Sequence, residues 1–478
     1  MNLNNLLVIS FGLEVHITVQ SQKKVFNWEN TYQGDTPPNS QVGAWELGYL
    51  GALPIINPEV IKLGLKLAAA LAMKINPLVL FDRKIYNYFD LPKGYQITQQ
   101  DNPLAIGGYL PIVYENQLEK IPLKSIHLEE DTAKSVYDKE EIKLDFNRAG
   151  NPLIELVTEP VFSEVEKVLV FIKQLQNLCR YLDISSAKME QGQLRVDLNF
   201  SLRIGQNYAT PRYEIKNLNS LANIEKAVRY EIAKHQKIFQ QGEKPPISQT
   251  LGFDEFRQIT VSQRKKTNYF YLPEVNIPPI KFSSQEIKKI AQSVPRLPWE
   301  EWEFLEENGV DNSRTGLVLE KPFLLKTLVF LKKKPQFSSS LVEPWISFFL
   351  NYLNSIFSHE NFSLFCKRWK SYWQLFQLAK NKELETQEVR EIVIQLTNTK
   401  KPLSSLIKKY QKKDEIDRTL IYSILEKLWD SNLAHKYLAK PQPVRNFLCG
   451  QIKKNFANLD IKKISLLIND FIEEKCQT

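Results

Sequence analysis

The stretch Gly12-Leu13-Glu14-Val15-His16-Ile17-Thr18-Val19, GLEVHITV, alternates apolar and polar side chains one for one. Successive side chains of a strand point to opposite faces, so Leu13, Val15, Ile17 and Val19 share one face and Glu14, His16 and Thr18 the other. A half-solvated antiparallel strand accounts for that pattern taken alone. Four further stretches raise the question of chemistry. SIHLEEDTAK gathers His127, Glu129, Glu130 and Asp131, NRAGNPLIELV sets Glu155 among apolar neighbours, LRVDLNFSL alternates Arg195, Asp197 and Asn199, and YEIKNLNS alternates Glu214 and Lys216.

An unpaired buried carboxylate is costly, so Glu155 calls for a cation. Several carboxylates on strands of one sheet would cradle Mg2+, which takes oxygen ligands and keeps waters and substrate phosphates in its shell. Imidazole suits softer ions, so His16 points to Mn2+ or to a held water. A salt-bridge network with nearby Arg and Lys is the competing reading of the same residues. The sequence contains no Walker motif and no G-x-G-x-x-G, and only 17 of its 478 residues are glycine. A nucleotide, if bound, would be held by metal and basic side chains and not by a phosphate loop.

Composition sets the frame. With 43% hydrophobic and 24% charged residues, the chain has the make-up of a globular protein, and its length suggests about three domains. No apolar run approaches the roughly 20 residues that span a bilayer. LLVISF near the N-terminus is short and runs straight into the alternating pattern, so it reads as a buried strand and not as a signal peptide. A cytoplasmic protein is expected. Cys179, Cys366, Cys449 and Cys476 are scattered with no Cys-x-x-Cys pair, which argues against a disulfide framework or a thiolate zinc site. The net charge is +9, and residues 401–478 hold 15 Lys and Arg against 9 Asp and Glu. Phosphate binding explains that clustering better than solvated helix faces do.

Strand-like alternation appears at 8–19, 120–131, 141–146, 194–203 and 211–216, and helical periodicity at 58–75 and 164–182. Ser163 followed by Glu166 predicts a capping box for the second helix. Strands without regular helix alternation favour an α+β fold with a largely antiparallel sheet. Prolines cluster at Pro273, Pro278, Pro279, Pro295 and Pro298, and a second break falls at TNTKKPLSS. These divide the chain into 1–290, a helical and aromatic-rich 291–400, and a basic, amphipathic 401–478.

The motifs GLEVH, PNSQ, FDRKIYNYFDLPKGYQITQ, IHLEEDTAK, NRAGNPLIELVTEP, MEQGQLRVDLN and EIKNLNS occur in this order, and with them the chain resembles the B subunits of the glutamyl-tRNA(Gln)/aspartyl-tRNA(Asn) amidotransferases over nearly its whole length. The resemblance implies a cradle domain related to the glutamine synthetase and guanidino kinase core, then an all-α domain and a small all-α tail. It implies a reaction in which ATP phosphorylates the side-chain carboxylate of Glu-tRNA(Gln), and often of Asp-tRNA(Asn), and ammonia displaces the phosphate. Carried onto matching positions, Glu14, His16, Glu129, Glu130, Glu155 and Glu214 form the catalytic set. Glu14, His16, Glu130, Glu155 and Glu214 are the expected metal ligands for Mg2+, with Mn2+ at a second site. Glu129 and Glu130 face opposite ways in a strand, so one binds metal and the other supports it. Lys84, Lys93, Arg148 and Asp197 are expected at the bound nucleotide or, for the two lysines, near the exit of an ammonia channel. Ordinary pairing with phosphate or carboxylate is the alternative for both. Lys453 and Lys454, in CGQIKKNFANLD, would contact tRNA phosphates without reading bases.

The resemblance further implies an amidase partner, the A subunit, that delivers ammonia, and a small C subunit in a heterotrimer. Two departures stand out. Positions where many members carry paired zinc-binding cysteines are here Asn27, Glu29, Gly43 and Glu46, so no zinc is expected. Where members carry Ala-His-Asp-Tyr-Arg-Tyr-Phe-Pro, this chain has TNYFYLP at 267–273, with Thr267, Asn268 and Phe270 replacing His, Asp and Arg. Two other readings stand beside that of an active amidotransferase component. One is a tRNA-binding scaffold that has lost its kinase chemistry; the other is a free-standing phosphotransferase of the glutamine synthetase type, which the basic helical tail disfavours.

Overall fold

The computed structural model describes residues 7–476 apart from 33, 35, 116, 139–140, 207, 248–249, 263–268, 357–358, 412–417 and 456–460. By internal contacts the chain divides into two compact units, Met1–Glu343 and Pro344–Thr478. The first is mixed α+β. Its strands include β1 (Leu7–Thr18), β2 (Asp82–Ile85), β3 (Tyr95–Thr98), β4 (Gln117–Glu130), β5 (Pro152–Thr158), β6 (Leu194–Ile204), β7 (Tyr213–Leu218), β8 (Thr250–Asp254) and β9 (Phe270–Pro273). Three of its helices are α1 (Pro58–Ala70), α2 (Val165–Tyr181) and α3 (Leu221–Gln240).

The middle of the large sheet runs β8-β7-β6-β1-β5-β4. Only the β7/β8 pairing in this run is parallel. Alternation along β1 does what its sequence says. Leu13, Val15 and Ile17 are buried beside Ile154 and Leu156 of β5, Val196 and Leu198 of β6, and Ile126 and Leu128 of β4. Helix α1 lies against β4 at Gly64, where an added Cβ would come 2.7 Å from Leu104 and 3.0 Å from Leu128. Only glycine permits that approach. A separate antiparallel sheet, β9-β2-β3, brings further side chains to the polar side of the large one.

Two helix boundaries differ from expectation. Helix α1 stops at Ala70 and not at 75, because Ala72 adopts φ 53° and Lys74–Ile75 then joins the sheet as a short strand. Helix α2 begins one residue after Glu164, which is its extended N-cap, and Ser163 makes no capping box. The cause lies upstream: Phe162 pairs with Phe11, whose N–H donates to the Phe162 carbonyl at 2.8 Å, holding the chain extended to the helix start.

The helical stretch after residue 297 begins inside the first unit. Tyr181 donates its hydroxyl to the Arg296 carbonyl at 2.7 Å, and Lys326 pairs with Asp183 at 2.6 Å. The second unit is helical among its described residues, with Trp345, Phe365, Tyr372 and Phe376 buried near its start. Its C-terminal part has a core of its own, from Ile421 and Leu425 through Leu448 and Ile452 to Ile468 and Phe471. Among the described residues, no helix is long and apolar enough to cross a membrane. Cys179 is a buried core residue whose thiol burial pushes up to about 12, so it behaves as an inert hydrophobe.

Candidate active site

The polar face of the large sheet is built by register. Across β1, Glu14 lies opposite Asp197 and His16 opposite Arg195 on one side, and His16 lies opposite Glu155 on the other. One strand further out on each flank, Asn199 faces Glu214, and Glu155 faces His127. Alternation then fixes which charged residues share the face.

Two groups of potential ligands result. His16, Glu129 and Glu155 each place one ligand atom within 4.8 Å of the others, and so do Glu14, Asp197 and Glu214. In the first group His16 Nε2 is 3.8 Å from Glu129 Oε2. Thr98 of β3 donates its hydroxyl to Glu129 Oε1 at 2.6 Å. Burial pushes Glu155 well above the ordinary carboxylate range, and the charges of Glu129 and Glu14 push it further. Burial pushes Glu129 up as well, but Lys84, His16 and the Thr98 hydrogen bond outweigh it and hold Glu129 low. The two carboxylates are thus driven apart, Glu155 toward its protonated form and Glu129 toward its ionised one. A divalent cation would offset the charge of both, so this donor set fits one. The imidazole beside two carboxylates accommodates Mn2+ more readily than an all-oxygen shell would.

The second group is compensated differently. Lys216 of β7 reaches Asp197 Oδ2 at 2.6 Å and Glu214 Oε1 at 3.1 Å. Burial opposes its charge, but Asp197 and Glu214 outweigh burial and raise it above the usual lysine range. Asn199 donates to Glu14 Oε1 at 3.2 Å, and Thr250 to Glu214 Oε2 at 3.3 Å. Three carboxylates suit Mg2+, and a cation entering here would displace the ammonium.

The remaining expected residues take different positions relative to these groups. Lys84 of β2 stands 4.5 Å from the centre of the Tyr269 ring. Burial opposes its charge too, yet Glu129 foremost, with Tyr271, Tyr269 and Glu155, holds the ammonium above its ordinary range. Glu130 is a correction. It is fully buried on the other side of β4, where Lys93 pairs with Oε2 at 2.6 Å and the Ile97 N–H donates to Oε1 at 2.9 Å. It is Glu129 that joins His16 and Glu155, and Glu130 with Lys93 forms a buried strut behind it. His127 has both ring nitrogens engaged, Nδ1 2.6 Å from the Gln99 carbonyl and Nε2 2.7 Å from the Ser125 hydroxyl. Burial lowers its proton affinity below the ordinary imidazole range. Arg148 donates from Nε and Nη2 to the Thr132 and Ala133 carbonyls at 2.9 and 2.8 Å.

Arg195, Asp131 and Lys216 receive no role from sequence alone, although each stands inside one of the charged motifs. Their alternation with Asp197 and Glu214 was the available signal. The four positions of the absent cysteines do converge. Asn27 Nδ2 and the Gly43 N–H both donate to Glu46 Oε2 at 2.8 Å, and Glu29 N–H donates to Asn27 Oδ1 at 2.9 Å. Thr267 and Asn268 lie outside the described residues, while Phe270 is exposed on β9 and pairs with Ile85. Lys454 is exposed on the helix Pro441–Asn455, and the Lys453 side chain lies outside the described residues.

A mixed sheet with helices on one face and two carboxylate groups on the other defines a class: an α+β protein with a sheet-borne site for cations and anions. Residues 9–288 match the family model described as GatB/GatE catalytic domain, and the chain belongs to that family. It is 32% identical over 468 residues to the B subunit of the aspartyl/glutamyl-tRNA(Asn/Gln) amidotransferase of Thermosipho melanesiensis, covering 95% of this chain and 96% of the relative. The B subunit of the same name from Mycoplasmopsis agalactiae is 43% identical over 303 residues, 62% of this chain and 63% of the relative. That from Thermus thermophilus is 38% identical over 321 residues, 66% and 67% of the two chains. With the Mycoplasmopsis agalactiae relative the match spans less than two thirds of the relative's length.

Proposed function

We propose that this chain is the carboxylate-activating component of a glutamine-dependent tRNA amidotransferase. The substrate is glutamate carried by tRNA(Gln), and aspartate on tRNA(Asn) where that tRNA is served. The observation that carries the reading is the meeting of His16, Glu129 and Glu155 within 4.8 Å of one another, with the charge of Lys84 acting on the same carboxylates. Carboxylates and an ammonium whose proton affinities are shifted in opposite directions at one place mark a candidate site for binding ions.

A carboxylate is a poor acyl donor until one of its oxygens becomes a good leaving group. Transfer of the γ-phosphoryl of ATP supplies one, and ammonia then attacks the carbonyl carbon and releases phosphate. On this reading His16, Glu129 and Glu155 would hold one divalent cation and Glu14, Asp197 and Glu214 another. A bound Mg2+ or Mn2+ neutralises charge on the transferred phosphoryl and lets two anions approach. Lys84, kept charged, pairs with an anionic oxygen of substrate or nucleotide. The polar face is thereby the floor of a cradle of the glutamine synthetase and guanidino kinase type. Ammonia comes from the amidase, or A, partner, with a small C partner completing a heterotrimer, because only NH3 has the lone pair that attacks. The basic C-terminal segment, with Lys453 and Lys454, grips tRNA phosphates.

The test is ATP-dependent amidation of Glu-tRNA(Gln) by the complex of this chain with its amidase partner, for wild type and Glu155→Gln, with melting of both as the folding control. ADP and Gln-tRNA formation in wild type, lost in the folded variant, supports the reading. Absence of ATP turnover in wild type with charged tRNA and partner present would remove it and leave a tRNA-binding scaffold.

A further inference from the structure

The face that carries the two acid groups also carries an arginine paired to a third acid. Arg195 is opposite His16 on β6 and two residues before Asp197, so it shares their face. Its Nη2 lies 3.0 Å from Asp131 Oδ2, and Arg148 Nε approaches the same oxygen at 3.6 Å. Asp131 is 5% exposed and rigidly set. Its N–H donates to the Asn151 carbonyl and its carbonyl accepts from Gly150 N–H, both at 2.9 Å, while Oδ1 accepts from Thr132 N–H at 2.9 Å.

The two arginines differ in what they leave free. Arg148 uses two N–H groups on backbone carbonyls and serves as a brace. Arg195 is 33% exposed, and among the described residues its guanidinium pairs with Asp131. A guanidinium has five N–H donors in a planar fork, more than one carboxylate takes up. The charges of Asp197 and Glu129 both act on it, which places it in the field of both groups. An arginine drawn only to compensate charge would fold onto one of those carboxylates. This one is instead held back by a third, buried aspartate.

We propose that Arg195 is a catalytic residue that donates to the phosphoryl oxygens of ATP during transfer, and that Asp131 is its positioning residue. The proposal rests on the function given above. In the step, the bond from γ-phosphorus to the β,γ-bridging oxygen breaks, and ADP departs with its electron pair. A bond from a substrate carboxylate oxygen to phosphorus forms. Arg195 keeps its proton throughout and stabilises charge on the three equatorial oxygens, a role in which an arginine contributes about 10³- to 10⁵-fold in rate.

The experiment follows ADP release and amide formation by the complex with its amidase partner, for wild type, Arg195→Lys, Arg195→Gln, Arg195→Ala and Asp131→Asn. Melting and Mn2+ binding are measured on each. Arg195→Gln is expected to lower kcat for ADP release by about a hundredfold or more, with KM for ATP moved by less than about fivefold. Mn2+ affinity should be unchanged. Added guanidinium should restore part of the activity of Arg195→Ala, which no loss of packing would allow. Asp131→Asn should lose about tenfold in kcat with KM for ATP unmoved. Should Arg195→Gln fail to fold, the kcat and KM of Arg195→Lys decide in its place. An active wild type with folded Arg195 variants within threefold of it overturns this assignment alone. A wild type without ATP turnover overturns the proposed function and this assignment with it.

Discussion

The two acid groups on the sheet face are near neighbours with different chemistry. Glu14, Asp197 and Glu214 carry their own cation, Lys216, which comes from the same sheet two residues from Glu214. At the His16, Glu129 and Glu155 group, burial and neighbouring carboxylates push Glu155 toward its protonated form, while Lys84, His16 and the Thr98 hydrogen bond keep Glu129 low. Their nearest ammonium, Lys84, comes from a separate sheet. The first group is offset by a lysine of its own sheet, the second by a lysine of another. A cation would compete with lysine in one and with the raised proton affinity of Glu155 in the other.

The largest expected effect breaks that difference at its source. Glu155→Gln mimics the protonated carboxyl, so the cation-free protein should melt no lower than wild type, while activity falls by about a hundredfold or more. Differential scanning calorimetry beside the amidation assay reads both. Next in size, Glu130→Gln should lower stability by about 3 kcal/mol, because it leaves a buried Lys93 without its charge partner. Mn2+ affinity should stay as it was, since Glu130 lies behind the ligand face. Chemical denaturation and calorimetric titration separate the two outcomes.

A smaller effect sharpens the comparison through pH. Burial and the charges of Glu129 and Glu14 raise Glu155 above the usual 4.5, and a bound cation would favour its ionised form. Affinity at the His16 group should therefore rise with pH from 4.5 up to the raised value, by at most about tenfold per unit. The sign for folding is the reverse. The native state binds more protons than the unfolded chain across that window, so cation-free stability should fall as pH rises through it. Titrations in buffers of different ionisation enthalpy would detect the released proton. The smallest effect is on the other group. Lys216→Met should cost about 1 kcal/mol, kept low by solvent at the 36% exposed side chain, and should strengthen a second cation-binding event.

Much of this was legible in order and little of it in depth. Alternation in GLEVHITV and LRVDLNFSL told which residues share a face, and apolar neighbours singled out Glu155. The motif IHLEED could not tell Glu129 from Glu130, because that choice depends on which side of β4 the helices cover. Asp131 and Arg195 stand 64 residues apart in the sequence, and only the closing of β4, β5, β1 and β6 into one sheet joins them. Ser163 had the right residue type for a cap, but a pairing to Phe11, far back in the chain, kept its backbone extended. Local pattern carried wherever a side chain's task is set within its own strand, and failed where a distant strand sets it.

Strand β1 serves as wall to both acid groups and, on its reverse, as centre of the core. It is paired to β6 from Leu7 to Ile17, and Phe11 is buried with Leu13, Val15 and Ile17. A residue gained or lost anywhere along it would turn one half of the strand over, setting polar side chains into the core and apolar ones on the acid face. A change of length is thus barred along the whole of a twelve-residue strand.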